Sequence, residues 1–298
     1  MEHVREHPGG DAARRSSKAR PPAPGSEERP TPEGANGSRP EAVTGDPNFM
    51  TSLARGLAVI RAFSQQRRDQ TIAQIAARTG ITRAAVRRCL HTLEKLGYVT
   101  SGERRYSLRP KILSLGHAYL TSTPMSAAAQ RFLDQVSAAV KESSSLAVLD
   151  EEDILYVVRS TSTTRIMSVD LHPGSRLPAF CTSMGRVLLA HLAPPDLKAY
   201  LAHARLTSHT DRTVTSKEKL AQVLAGVRRT GYAIVDQELE MGLRSIAVPV
   251  KDAAGNVLAA MNVGTHAARV PIRELESRIL PPLQAAAADL GMLLSSGP

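Results

Sequence analysis

Three features of this 298-residue sequence predict an α+β protein with two folded parts and a helix between them. Between residues 51 and 96 apolar residues recur at helical spacing in three successive runs, and two short strand-like runs follow before Pro110. Beyond residue 124, six strand-like runs are interrupted and bracketed by helices, which predicts a six-stranded, mostly antiparallel sheet. The formal charge of +10 is concentrated. Residues 48 to 110 carry twelve Arg and Lys against three acids, an excess of nine, while residues 1 to 47 carry seven against eight.

Residues 1 to 47 are rich in Pro, Gly, Ser, Glu and Arg, as in RPPAPGSEERPTPEGANGSRP. Such a segment buries too little apolar surface to offset its ordering entropy, and it is predicted to be a disordered tail. Helical order is predicted from about Phe49, with Leu53, Leu57, Ile60 and Phe63 marking a first helix and QQRRDQ a loop after it. In TIAQIAARTGITRAAVRRCLHTLEKL, Ile72, Ile75 and Ala76 mark a second helix that Gly80 ends. Thr82 is placed to cap a third, in which Val86, Leu90 and Leu93 face inward and Cys89 packs beside them. YVTSGERRYSL then predicts a β-hairpin turning at Ser101-Gly102-Glu103.

Three helices and a two-stranded wing describe a winged helix-turn-helix over residues 48 to 109. A helical hairpin alone is common in bundles. The wing and the local excess of nine charges turn the reading toward duplex DNA, because each phosphate neutralised releases counterions. The residues assigned to DNA are Thr82, Arg83, Ala84, Arg87, Arg88 and His91 on the third helix, with Arg104 and Arg105 on the wing. Arginine suits bidentate contact with guanine, and alanine admits a thymine methyl. Arg88, Arg104 and Arg105 are assigned to phosphate. Aromatic residues are only 3% and Trp is absent, which argues against single-strand binding by stacking.

After Pro110, KILSLGHAYL predicts a linker helix over residues 110 to 123, and residues 124 to 298 form the second domain. A helix from Met125 to Glu142 opens it. Strand-like runs fall at residues 145 to 150, 154 to 160, 165 to 170, 232 to 236, 245 to 250 and 257 to 264, with HPGSRLP as a loop. Helices are predicted at Ser183 to Leu192, Asp196 to His203, Ser216 to Thr230 and Ile272 to Leu294.

Two cysteines give no disulfide framework, and no stretch is long enough to span a bilayer, so a cytoplasmic protein with no membrane partner is expected. No phosphate loop, GxGxxG after a strand, HExxH or GxSxG occurs, the nine histidines are scattered, and no base can be named for Cys181. Neither an enzyme, a metal site nor a cofactor is therefore expected. A purely architectural DNA binder would have no use for the second, nearly neutral domain.

SLARGLAVIRAF, GERRYSL, CTSMGRVLLAHL and VDQELEMGLRSIAVPV, in that order, resemble an IclR-type transcriptional regulator over about residues 48 to 295. GITRAAVRRCLHTLEKLGYV and RIMSVDLHPGSRLPAFCTSMGRVLLA resemble its PcaR, PcaU and PobR branch. The resemblance implies a linker helix with dimer contacts, a homodimer or homotetramer on operator DNA, and a C-terminal domain that binds a small organic or aromatic acid effector. For the branch, the implied candidates are protocatechuate, 4-hydroxybenzoate and β-ketoadipate, with RNA polymerase a partner where the regulator activates.

The residues give a physical reason to look near Ser183: Thr182 or Ser183 can cap the helix that follows, and free N–H groups at a helix start suit a carboxylate. The resemblance carries effector contact onto Ile166, Val169, Ser183, Met184, Asp236, Leu243, Ser245, Asn262 and Gly264. Met184 and Leu243 are equally readable as core. Arg165 and Arg244 are each readable as an anion's partner or as half of an ion pair, and Leu239 stands where the family often has an acid. The coupling hypothesised here runs from loop closure at the Ser183 helix start, through the linker helix, to the spacing of two recognition helices, which must match half-sites about one helical turn apart.

Overall fold

The computed structural model describes residues 46–64, 67–116, 124–161 and 171–295. Its N-terminal part holds helices α1 (Thr51–Arg61), α2 (Ile72–Thr79) and α3 (Arg83–Lys95). Local chemistry fixes their ends. The Thr71 hydroxyl accepts from the Gln74 N–H at 3.2 Å, and the Gln74 carboxamide accepts from the Thr71 N–H at 2.9 Å, a reciprocal cap at the start of α2. Gly80 closes α2 in the left-handed conformation at φ 71°. Thr82 then caps α3 through the Ala85 N–H. Val59, Ile75, Val86, Leu90 and Leu93 meet in the core of this unit.

Three details differ from the sequence reading. Leu53 and Leu57, at helical spacing on α1, are 58% and 50% exposed, and Val59 is the residue of α1 that is buried. The apolar stripe of α1 thus lies partly outside the core, along a groove shared with α3 and Leu115. The stretch predicted as a loop contains strand β1 (Asp69–Gln70), which pairs with the wing strand β3 (Arg105–Leu108). The cause is Gln70, whose buried carboxamide donates to the Ala62 carbonyl at 2.8 Å and ties the loop to the end of α1. The wing's other strand, β2 (Val99–Gly102), runs two residues further than predicted, through Ser101 and Gly102. Glu103 and Arg104 both have positive φ, so they form the two-residue turn whose twist matches a hairpin.

Pro110–Ile112 is a turn of 3-10 helix and residues 113–116 are helical. The rest of the predicted linker helix lies outside the described residues.

The C-terminal part opens with α4 (Pro124–Val140). Its sheet comprises β4 (Ser143–Asp150), β5 (Asp153–Ser160), β6 (Arg176–Pro178), β7 (Ala233–Asp236), β8 (Leu243–Lys251) and β9 (Val257–His266), all antiparallel, in the order β6-β5-β4-β9-β8-β7. The sixth strand is β6, which falls in the predicted HPGSRLP loop; the predicted strand at 165 to 170 lies outside the described residues. Side chains at a distant hairpin hold β6 in place: Arg176 pairs with Asp150 and, at 3.1 Å, with Asp153. No local hydrophobic pattern reports such a bond.

Large residues of one sheet face, among them Leu146, Val158, Ile246 and Met261, pack against α4 and the C-terminal helix. That helix is predicted as one piece. It is instead a helical turn at Ile272–Glu274, a π-helical turn at Leu275–Ile279, and α8 (Leu280–Ser295). Pro281 and Pro282 supply no N–H to the ladder, so the regular pattern breaks just before them. The opposite face presents small residues, Ala147, Ala247 and Ala260, and is covered by α5 (Ser183–Ala190), α6 (Pro194–His203) and α7 (Lys217–Thr230). Among the described residues no helix is long and apolar enough to cross a membrane.

Candidate DNA interface and effector site

Thr82, Arg83, Ala84, Arg87, Arg88 and His91 are all exposed on α3. Arg83, Arg87 and His91 follow one another at four-residue spacing with Ala84 beside them, so they share a face. Arg88 is turned toward α1 and lines the groove there with Arg55, Ala85 and Thr92. Arg104 sits in the exposed turn of the wing, and the Arg105 guanidinium donates to the Asp69 carbonyl at 3.3 Å, which lays it across β1. Cys89 is half-buried beside the core, where burial pushes its thiol up in pKa, in keeping with packing.

In the C-terminal part a cavity of about 40 Å³ opens between the start of α5 and the small-residue face of the sheet. Six of the expected effector residues line it: Ser183, Met184, Leu243, Ser245, Asn262 and Gly264. Met184 serves as core at the same time, at 1% exposure. Leu239 also lines the cavity, so the wall there is apolar.

Asp236 does not line it. Its carboxylate takes the Arg244 guanidinium at 2.6 Å and the Arg212 guanidinium at 2.7 Å. Burial works against its charge, but the hydrogen bond and charge of Arg244 outweigh it and lower its pKa. Arg244 is likewise committed, since it also donates to the Val270 carbonyl at 2.6 Å. Ile166, Val169 and Arg165 lie outside the described residues.

The sequence reading missed the basic residue of the site. Arg159 on β5 lines the cavity and donates to the Ser145 hydroxyl at 3.0 Å. The available signal is a single charge within ILYVVRS, an otherwise apolar strand. Ser143, Tyr156 and Thr182 also line the cavity without having been singled out for effector contact.

Strand register explains the assembly. Ser145 faces Arg159 across one edge of β4 and Asn262 across the other; one step along, Ser143 faces Gly264, which faces Ser245, which faces Val235. The start of α5 stands over these rows. The Thr182 hydroxyl accepts from the Gly185 N–H at 3.3 Å and donates to the Pro178 carbonyl at 3.0 Å. Gly185 permits the approach, because a Cβ there would stand 2.1 Å from the Ala179 carbonyl oxygen. Behind the helix start, Arg186 and Glu238 form two bonds of 2.7 Å, with side-chain exposures of 3% and 10%.

Two polar atoms at the cavity have no hydrogen-bond partner although buried, Ser183 Oγ and Asn262 Oδ1. A buried polar atom left unpaired is costly, and a ligand group is one way to satisfy it. Together with Arg159 and the first N–H groups of α5, they form a setting for a small anion that also carries hydrogen-bonding groups. Burial pushes the Cys181 thiol up to about 12, which disfavours the reactive thiolate and is in keeping with packing. Burial likewise pushes the Tyr156 hydroxyl up to about 12, so it is present as the neutral phenol.

A helix-turn-helix with a basic recognition face, joined to a sheet domain holding an anion-suited cavity, defines a ligand-responsive DNA-binding protein. The family described as the IclR helix-turn-helix domain matches residues 52–102, and that described as bacterial transcriptional regulator IclR C-terminal matches residues 117–292. The chain belongs to the IclR family. It is 58% identical over 252 residues to the Pca regulon regulatory protein of Pseudomonas putida, covering 85% of this chain and 87% of that one. It is 35% identical to the p-hydroxybenzoate hydroxylase transcriptional activator of Acinetobacter baylyi, covering 83% and 93%. Among solved structures, an IclR homologue from Microbacterium hydrocarbonoxydans complexed with 4-hydroxybenzoate is similar at TM-score 0.71 and 25% identity, covering 83% of this chain and 100% of that one.

Proposed function

We propose that this protein is an operator-binding transcriptional regulator of aromatic acid catabolism, responding to an effector of the protocatechuate, 4-hydroxybenzoate or β-ketoadipate type. The observation that carries this reading is the cavity with Arg159, Ser183 and Asn262 on its wall, two of them bearing buried unpaired polar atoms. The Pca regulon and p-hydroxybenzoate relatives support the choice of acid.

In this reading residues 48–109 bind DNA, residues 110–123 transmit the signal, and residues 124–298 sense the acid. Arg83, Ala84, Arg87 and His91 face the bases, while Arg88, Arg104 and Arg105 grip phosphate. Ser183, Met184, Leu243, Ser245, Asn262 and Gly264 surround the effector, Arg159 takes its carboxylate, and Asp236 braces Arg244. The exposed Leu53 and Leu57 meet a second copy, which gives a homodimer with two recognition helices, and two such dimers give the homotetramer. The protein works in the cytoplasm without catalytic turnover, and contacts RNA polymerase where its operator position makes it an activator.

The test is a titration of the full chain with protocatechuate, 4-hydroxybenzoate, β-ketoadipate and an aliphatic dicarboxylate, read by calorimetry and by DNA binding to the promoter region beside its own gene. Saturable binding of an acid on the pathway, with a change in DNA affinity or footprint, supports the proposal. Binding of the aliphatic acid alone points to an IclR-type regulator of another carboxylic acid pathway. Consumption of any acid by the purified protein overturns it in favour of an enzyme.

A further inference from the structure

Gly264 occupies a position that neither backbone geometry nor packing reserves for glycine. The glycines at 80, 97, 174, 231, 242 and 255 have positive φ, and Gly185 and Gly291 sit where a Cβ would fall 2.1 Å and 2.0 Å from a carbonyl oxygen. Gly264 has neither excuse: its φ is not in the positive range, and a Cβ there would meet no atom within 4 Å. It nevertheless lies inside β9, paired on both sides, where a glycine costs backbone entropy and contributes no side-chain packing. A strand glycine of this kind marks a place where another group approaches the backbone closely.

The space above it belongs to the cavity. Ser143 and Ser245, its register partners on β4 and β8, and Asn262, two residues along the same face of β9, all line that cavity with it. Opposite stands Ser183, whose buried hydroxyl is unpaired.

We propose that Gly264 is the platform on which the effector's flat ring lies, and that its missing side chain sets the largest ring substituent the site accepts. The ring rests on bare backbone, Ser143 and Ser245 flank it, and Asn262 and Ser183 meet polar groups at its rim. This rests on the aromatic-acid reading above and adds the residue that sets the size limit.

The experiment compares the wild-type chain with Gly264→Ala and with Gly226→Ala, a control on α7 where an added Cβ also meets nothing within 4 Å. Benzoate, 4-hydroxybenzoate and 3,4-dihydroxybenzoate are titrated by calorimetry, and unliganded melting temperatures are recorded. Replacing glycine where alanine fits without strain stabilises slightly, so both variants should melt about 1–3 °C higher than wild type. Only Gly264→Ala should weaken acid binding, by about tenfold or more, as expected for an extra methyl in a filled space. The loss should grow from benzoate to 3,4-dihydroxybenzoate. Affinities within twofold of wild type would overturn the platform. So would a lowered melting temperature in Gly264→Ala, since the glycine would then be structural. If the wild-type chain binds none of the three acids, the aromatic-acid reading itself fails and the platform falls with it; if only the variant contrast is missing, the platform alone fails.

Discussion

Glu238→Gln tests how the helix start that frames the cavity is held. The carboxylate takes both terminal nitrogens of Arg186 at 2.7 Å and the Val214 N–H at 3.0 Å, while the Arg186 Nε is used on the Phe180 carbonyl at 3.0 Å. One buried pair thus joins α5, the turn before it, and the segments around Val214 and Leu239. A glutamine keeps the shape but turns an NH2 group toward a guanidinium that cannot lose its proton. Removing one partner of a buried pair costs about 3–5 kcal/mol, and at about 2–4 °C per kcal/mol this predicts a melting temperature lower by about 6–20 °C. Urea unfolding followed by circular dichroism should show the midpoint falling with little change in slope. The double variant Arg186→Met, Glu238→Leu leaves no charge stranded and should recover most of the loss. A Glu238→Gln cost below about 1 kcal/mol, or a double variant no better than the single, would refute this account of the pair.

Arg159→Met should weaken acid binding about 10- to 100-fold, the size of a lost charge-assisted hydrogen bond, while DNA affinity without effector stays unchanged; calorimetry and gel shifts separate the two. Arg87→Ala should cost about 1–3 kcal/mol on the operator and little on random duplex, whereas Arg105→Ala should weaken both equally and lower the salt slope by about one. Equal losses for the two variants on both duplexes would remove the division into base and phosphate contacts. For pH, the folded Asp236 carboxyl titrates below its usual value of 3.8 because Arg244 outweighs burial. Its contribution to stability is therefore fully present above that value and is lost as pH falls through the lower, folded pKa. Asp236→Asn should flatten the acid limb of a stability–pH curve and leave neutral pH to alkaline pH parallel to wild type.

The elements legible in the sequence are those whose cause is local. Gly80 and Thr82 announce the end of α2 and the start of α3 through local capping chemistry, and both hold those positions. The wing is legible as a hairpin, although its turn is Glu103-Arg104 rather than Ser101-Gly102-Glu103, since these two residues take positive φ while Ser101 and Gly102 belong to β2. What is not legible depends on partners far along the chain. β1 exists because Gln70 reaches Ala62, and β6 because Arg176 reaches Asp150 and Asp153. The stripe of Leu53 and Leu57 has the period of a helix packed on its own core, yet periodicity cannot say whether the surface it meets belongs to the same molecule.

The effector site shows the same limit in sharper form. Its contribution from α5 follows from the capping residues around Thr182, but its basic member required knowing one irregularity. Strict alternation in ILYVVRS would set Arg159 on the same face as Val157 and opposite Tyr156. The register between β4 and β5 shifts at Leu146/Ala147, so that Leu146 faces Val158 while Ala147 faces Tyr156. Val157 and Val158 consequently both enter the core under α4, and Tyr156 and Arg159, three residues apart, share the wall of the cavity. A bulge beside a binding site re-aims side chains in this way. Without the extra residue, Tyr156 and Arg159 could not both face the cavity, which would keep its serines but lose either its charge or its phenol.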